Sequence, residues 1–162
     1  MKAQLVTMLE MQDAMNTRVN SGWRTMNFEW YRAIWVECAE LMDHFGWKWW
    51  KKQAPDRAQV VLELVDIWHF GLSIRLSQMS DIGKVAELIE KELKPVSQPN
   101  DFLQSVEAFA ATTISTRNFD VEGFAGLMAC MELDFDELYK RYVGKNVLNF
   151  FRQDNGYQEG SY

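Results

Sequence analysis

Apolar residues recur three and four positions apart along most of this chain, the spacing that lines one face of a helix. The first such run covers Lys2 to Val19 and ends at Asn20-Ser21-Gly22. A second carries Phe28, Tyr31, Ile34, Trp35, Cys38, Leu41, Met42 and Phe45 on one stripe. It is predicted to start near Asn27, a residue type that caps helix N-termini, and to stop at Gly46. Pro55-Asp56 opens a third helix that runs to about Gln78. Shorter helices are predicted near Gly83–Leu93 and Asp101–Arg117, on either side of "KPVSQPND", and then over Val121–Met131 and Phe135–Tyr142. From Gly144 onward the Gly, Asn and Tyr content reads as loop, so the chain after Arg141 is expected to be dispensable for the fold. The expected fold is an all-α helical bundle. Residues 1–143 form its body, and 144–162 form a C-terminal loop of the same domain.

The polar positions that break this pattern carry the chemistry. Glu37 and Glu40 stand three apart on the second helix, roughly 60° around its axis, so both emerge on the same side. Alone, such a pair is most often a solvated surface. The third helix changes the weighting, because "VVLELVDIWHFGLSIRL" is apolar nearly all round and so belongs in a core. Glu63 and Asp66 nevertheless sit inside it, again three apart. Unpaired carboxylates in apolar surroundings cost several kcal/mol each or lose their charge. The nearest basic residues in that helix, Arg57 and Arg75, are not placed to neutralise both. Two antiparallel helices could bring the four acids together as an oxygen-donor set for Mg²⁺ or Mn²⁺; salt bridges to other helices are the alternative. His69, three residues after Asp66, would line the pocket rather than ligate the metal.

Composition narrows the class without deciding it. Hydrophobic residues make up 48% of the 162 and charged residues 25%, ordinary values for a soluble domain. Seven tryptophans and nine methionines are more than usual and suggest a large aromatic core or a ligand pocket. A formal charge of −6 opposes nonspecific binding to nucleic acid or to an anionic membrane. Cys38 and Cys130 make neither a disulfide framework nor a zinc set, and Cys38 reads as a buried thiol. The N-terminal run carries acids within its apolar pattern and is no signal peptide, and no apolar run approaches membrane-spanning length, so a cytoplasmic location is expected.

Specific segments add a resemblance. "WYRAIWVECAELMDHFGWKWWK" followed by "LELVDIWHF" resembles the dimeric all-α dUTPases, within the all-α NTP pyrophosphohydrolases, which share an ExxE pair on one helix and an ExxD pair on the next. "YVGKNVLNFFRQDNGYQEGSY" looks like that family's phosphate-binding motif, and "LEMQDAMN" like its early base-recognition motif. The resemblance implies Mg²⁺-dependent hydrolysis of dUTP, and often dUDP, to dUMP by a homodimer. It implies Glu37, Glu40, Glu63 and Asp66 as metal ligands, with Glu37 or Glu40 also directing the attacking water. Gln12, Asn16, Trp47, Trp50, His69 and Phe70 would meet the nucleoside, Trp49 being a variable position, and Lys145, Asn149, Arg152 and Tyr157 the phosphates or sugar. The family pattern continues past "GYxxGSY" with a further Lys, Trp, Gly and acidic residues, whereas this sequence stops at Tyr162. Two other readings stand beside it. One is a relative acting on another deoxynucleotide, such as a dCTPase–dUTPase or another dNTP pyrophosphohydrolase, since uracil and cytosine differ at one exocyclic group. The other is an inert helical dimer that only binds or regulates.

Overall fold

The computed structural model describes residues 1–160, and among these every regular element is helical. The order is α1 (Lys2–Val19), a 3₁₀ turn (Trp23–Thr25), α2 (Trp30–Phe45), α3 (Arg57–Gln78), α4 (Ile82–Glu92), α5 (Phe102–Thr116), α6 (Val121–Cys130) and α7 (Phe135–Asp154). Each helix from α3 onward begins the same way. Asp56, Asp81, Asp101, Asp120 and Asp134 each turn a carboxylate onto the backbone N–H three residues later. That contact satisfies one of the otherwise unpaired amides of the first turn and sets a negative charge at the positive end of the helix dipole. Part of the chain's acidic excess is therefore used in starting helices.

Helix α3 is the axis of the bundle. Val60, Val61, Leu64, Val65, Ile67, Trp68, Leu72, Ile74 and Leu76 are all buried along it, as its nearly continuous apolar sequence requires. Helix α2 packs antiparallel to it: Asp56 N donates to His44 O at 2.9 Å, and His44 Nε2 lies 3.3 Å from Glu63. Helices α1, α4 and α7 also touch α3. On the side of α3 away from the carboxylates, Trp68, Phe109, Phe119 and Phe124 interlock edge to face and in a stack. The ring of Phe119 lies directly over Gly71, where an added Cβ would fall 2.4 Å from a ring carbon. The two arginines of α3 are occupied structurally. Arg75 forks onto Glu92 and the Phe119 carbonyl, and Arg57 binds the Met131 carbonyl.

Two expected boundaries are corrected. Helix α2 starts at Trp30, not near Asn27, which is left-handed at φ 51° and turns the chain out of the 3₁₀ segment. More consequentially, α7 does not end at Tyr142. It continues through Gly144 to Asp154, so residues 144–154 are helix rather than loop. Gly144 costs about 1 kcal/mol of helix propensity. Tyr142 and Asn146, four apart and both buried against α1, outweigh it. Deleting everything after Arg141 would remove that buried ring, so the segment is not dispensable. Ser161 and Tyr162, the end of the expected C-terminal loop, lie outside the described residues. Among the described residues no helix is long and apolar enough to cross a membrane.

Candidate active site

A cavity of about 340 Å³ opens between α1, α3 and α7, with the 3₁₀ segment and the start of α2 along one side. Its walls follow from helical spacing. Gln12 and Asn16 come from one face of α1, and Asp66, His69 and Phe70 from α3. Lys145, Asn149 and Arg152 stand at i, i+4 and i+7, one face of the unexpected extension of α7, and Tyr157 follows in the turn beyond it. Glu37 enters from α2.

One end of the cavity is anionic. Carboxylate oxygens of Glu37, Glu63 and Asp66 lie within 4.8 Å of one another. Glu63 is also held by His44 at 3.3 Å. Asp66 is bridged by Lys145 Nζ, 3.0 and 3.1 Å from its two oxygens. Burial nevertheless pushes the Asp66 carboxyl above the usual carboxylate range, with Lys145 and Arg152 pulling the other way. Glu37 is raised to about 9. Burial is the main cause, reinforced by its hydrogen bond with Glu63 and by the neighbouring acidic charges. Its Oε2 is buried with no hydrogen-bond partner among the described residues. Three converging acids, one with a buried oxygen that has no hydrogen-bond partner among the described residues, make a set that could hold a cation, and oxygen donors of this kind suit a hard divalent ion.

The other end is neutral and aromatic. Trp30 and Phe70 face each other at 6.3 Å, and Trp23 sits edge-on to Trp30 at the same distance. Gln12, Asn16 and His69 are buried behind them, each less than 6% exposed. Burial, assisted by Lys145, holds the His69 pKa down to about 3, so the ring is neutral.

A single scaffold thus offers a carboxylate cluster, two cations on an adjacent helix face, and an aromatic pocket with amides at its base. The dUTPase family profile matches residues 4–157, nearly the whole chain. The chain belongs to the dUTPase family. No curated protein sequence matches it. As a dUTPase it is a hydrolase, a dUTP diphosphatase of nucleotide metabolism, and the cavity is its candidate active site.

Of the residues singled out in the sequence, Gln12, Asn16, Glu37, Asp66, His69, Phe70, Lys145, Asn149, Arg152 and Tyr157 border this one cavity. Glu63 joins through the carboxylate cluster. Glu40 is exposed and outside that cluster. Trp47 and Trp50 pack edge to face at 5.4 Å on the α2–α3 connection, exposed and away from the cavity lining, with Trp47 bound to Asp43. The aromatic lining comes instead from Trp23, Phe28 and Trp30, which the sequence reading passed over as site residues. Their one signal was three large rings within eight residues, just before and at the start of the ExxE helix.

Proposed function

We propose that this dUTPase converts dUTP to dUMP and diphosphate, and dUDP to dUMP and phosphate, using Mg²⁺ held by Glu37, Glu63 and Asp66. Glu40, next on the same helix face as Glu37, completes the set as the site fills. The observation that carries this reading is the buried, unanswered Oε2 of Glu37 inside a three-carboxylate cluster at the cavity's end. Bound Mg²⁺ would offset phosphate charge and make water a better nucleophile.

The chain's own groups have separable tasks. Gln12, Asn16 and His69 meet the base, with Trp30 and Phe70 as apolar walls, and His69 and Phe70 help form the wall that excludes a ribose 2′-hydroxyl. Lys145, Asn149 and Arg152 reach the phosphates along one helix face, supplying charge-assisted hydrogen bonds that a −6 protein otherwise lacks. Lys145 neutralises Asp66 until phosphate oxygens arrive. Glu37, ionised when it holds the metal, orients the attacking water and takes its proton. The water oxygen bonds to phosphorus as the anhydride link between the α- and β-phosphates breaks. A second copy would cover Trp35, Val36 and Leu62, exposed on α2 and α3, and the tryptophans that follow α2.

Diphosphate or phosphate release is measured with dUTP, dUDP, dCTP, dTTP, dATP and UTP, in Mg²⁺ and in EDTA. Turnover confined to dUTP and dUDP and abolished by EDTA is expected. Comparable dCTP turnover would replace the uracil-only reading, and EDTA-resistant turnover would remove the metal. Sedimentation equilibrium tests the homodimer; a monomer at micromolar concentration refutes it.

A further inference from the structure

Behind the neutral end of the cavity, buried polar side chains form a single directed chain of hydrogen bonds. Its direction is set at one end. Ser73 Oγ lies 3.1 Å from the His69 carbonyl, a group that can only accept, so the hydroxyl proton points there. Ser73 Oγ therefore meets Asn16 as an acceptor, and Asn16 Nδ2 donates to it at 2.9 Å. That turns Asn16 Oδ1 toward Gln12, whose Nε2 donates at 3.0 Å. Gln12 Oε1 is left facing His69 Nδ1 at 2.8 Å, so Nδ1 carries the ring proton. A neutral imidazole has only one, and Nε2 is then a bare lone pair. Among the described residues Nε2 is buried without a partner, on a ring that lines the cavity. Tyr142 holds the arrangement from behind: its ring stacks on His69 at 4.2 Å and its hydroxyl lies 2.9 Å from Gln12 Oε1.

We propose that Ser73 is a positioning residue for base selection. Through Asn16 and Gln12 it keeps His69 Nε2 an acceptor, matched to the N3–H of uracil and mismatched to the lone pair at N3 of cytosine. The base-selection half rests on the dUTP reading above; the hydrogen-bond relay does not. Ser73 never touches substrate. It is wholly buried one turn beyond His69 on α3, and among the described residues its only side-chain partner is Asn16.

Reversing both amides would protonate Nε2 instead, at the loss of the bond from Ser73 to the His69 carbonyl. One such bond corresponds to a preference of about fivefold. Removing the hydroxyl abolishes that preference and leaves Asn16 Nδ2 with nothing behind it to donate to.

The test compares wild type with Ser73→Ala, without nucleotide, by ¹⁵N NMR of the imidazole nitrogens. The chain has two histidines, so His44→Gln assigns the signals. Wild-type His69 should show a protonated Nδ1 and an unprotonated Nε2, and Ser73→Ala a shift toward the other tautomer. In turnover, Ser73→Ala should raise the dCTP-to-dUTP ratio of kcat/KM about fivefold. The dUTP loss should fall in KM, with kcat kept. A protonated Nε2 in wild type, or the same tautomer in both proteins, overturns the relay. A shifted tautomer with an unchanged substrate ratio overturns its role in base selection. The expected NMR result with no dUTP hydrolysis by either protein supports the relay and counts against the dUTPase reading alone.

Discussion

Glu37→Gln should stabilise the metal-free protein while abolishing its chemistry, and the stabilisation should grow with pH. The folded protein holds the Glu37 proton to about 9, against an ordinary value of 4.5. Between those values the folded state binds a proton that the unfolded state has released, so stability falls as pH rises through the window. Keeping that proton to pH 8 would correspond to about 5 kcal/mol for a fully buried group. Glu37 is only half-buried, and solvent screening reduces the figure to about 2 kcal/mol. Glutamine retains the shape and carries no charge. In EDTA the variant and wild type should therefore melt together near pH 4.5. At pH 8 the variant should melt about 6 °C higher, taking about 3 °C per kcal/mol for a chain of this size. Circular dichroism melts at several pH values provide the assay. Saturating Mg²⁺ should reverse the order, because wild type gains about 2.7 kcal/mol at a hundredfold excess over Kd and the variant gains less. A variant no more stable at pH 8, or a gain that is flat with pH, would refute the electrostatic account of the cluster.

Three further outcomes follow from the same geometry. Glu63→Gln should remove most turnover and weaken Mg²⁺ binding by calorimetric titration; wild-type turnover at limiting Mg²⁺ would defeat the ligand assignment. Ending the chain after Asn155, which spares α7 and its buried Tyr142, should leave the melting temperature within a few degrees and raise KM for dUTP. Unchanged KM would take Tyr157 out of substrate binding. Gly71→Ala should cost about 1–3 kcal/mol, because its Cβ meets the Phe119 ring, and Phe119→Leu in the same chain should restore part of that loss. An unchanged melting temperature for Gly71→Ala would contradict the close packing of that ring on α3.

How much of this was legible beforehand differs by residue. Glu63 and Asp66 could be read as unusual because an apolar helix cannot solvate them, and the structure does place them beside Glu37. Glu40 looked equivalent to Glu37 by spacing. The two differ only in which of them faces α3, a matter of how the helix pair is rotated. The helical state of residues 144–154 was hidden because Gly144 and the asparagines have poor intrinsic helix propensity. Packing of Tyr142 and Asn146 on α1 offsets that deficit, and local sequence does not report such contacts. The tryptophans misled by proximity. Trp47 and Trp50 follow the acidic helix closely in sequence, yet the ring that faces Phe70 is Trp30 at that helix's first position, and Trp23 and Phe28 come from the connection before it.

The sequence by itself determined an all-helical chain, its helix starts from α3 onward, the buried acids of α3 and membership of the dUTPase family. Each of these rests on periodicity, residue type or motif, which survive without knowledge of neighbours. Only the tertiary structure decided which acids converge, that Lys145 answers Asp66 across 79 positions of chain, and that Ser73, Asn16, Gln12 and His69 share one directed line of hydrogen bonds. These are contacts between helices. Their geometry depends on how each helix is rotated and how far it slides against the next, and that is settled by the packing of the whole core at once.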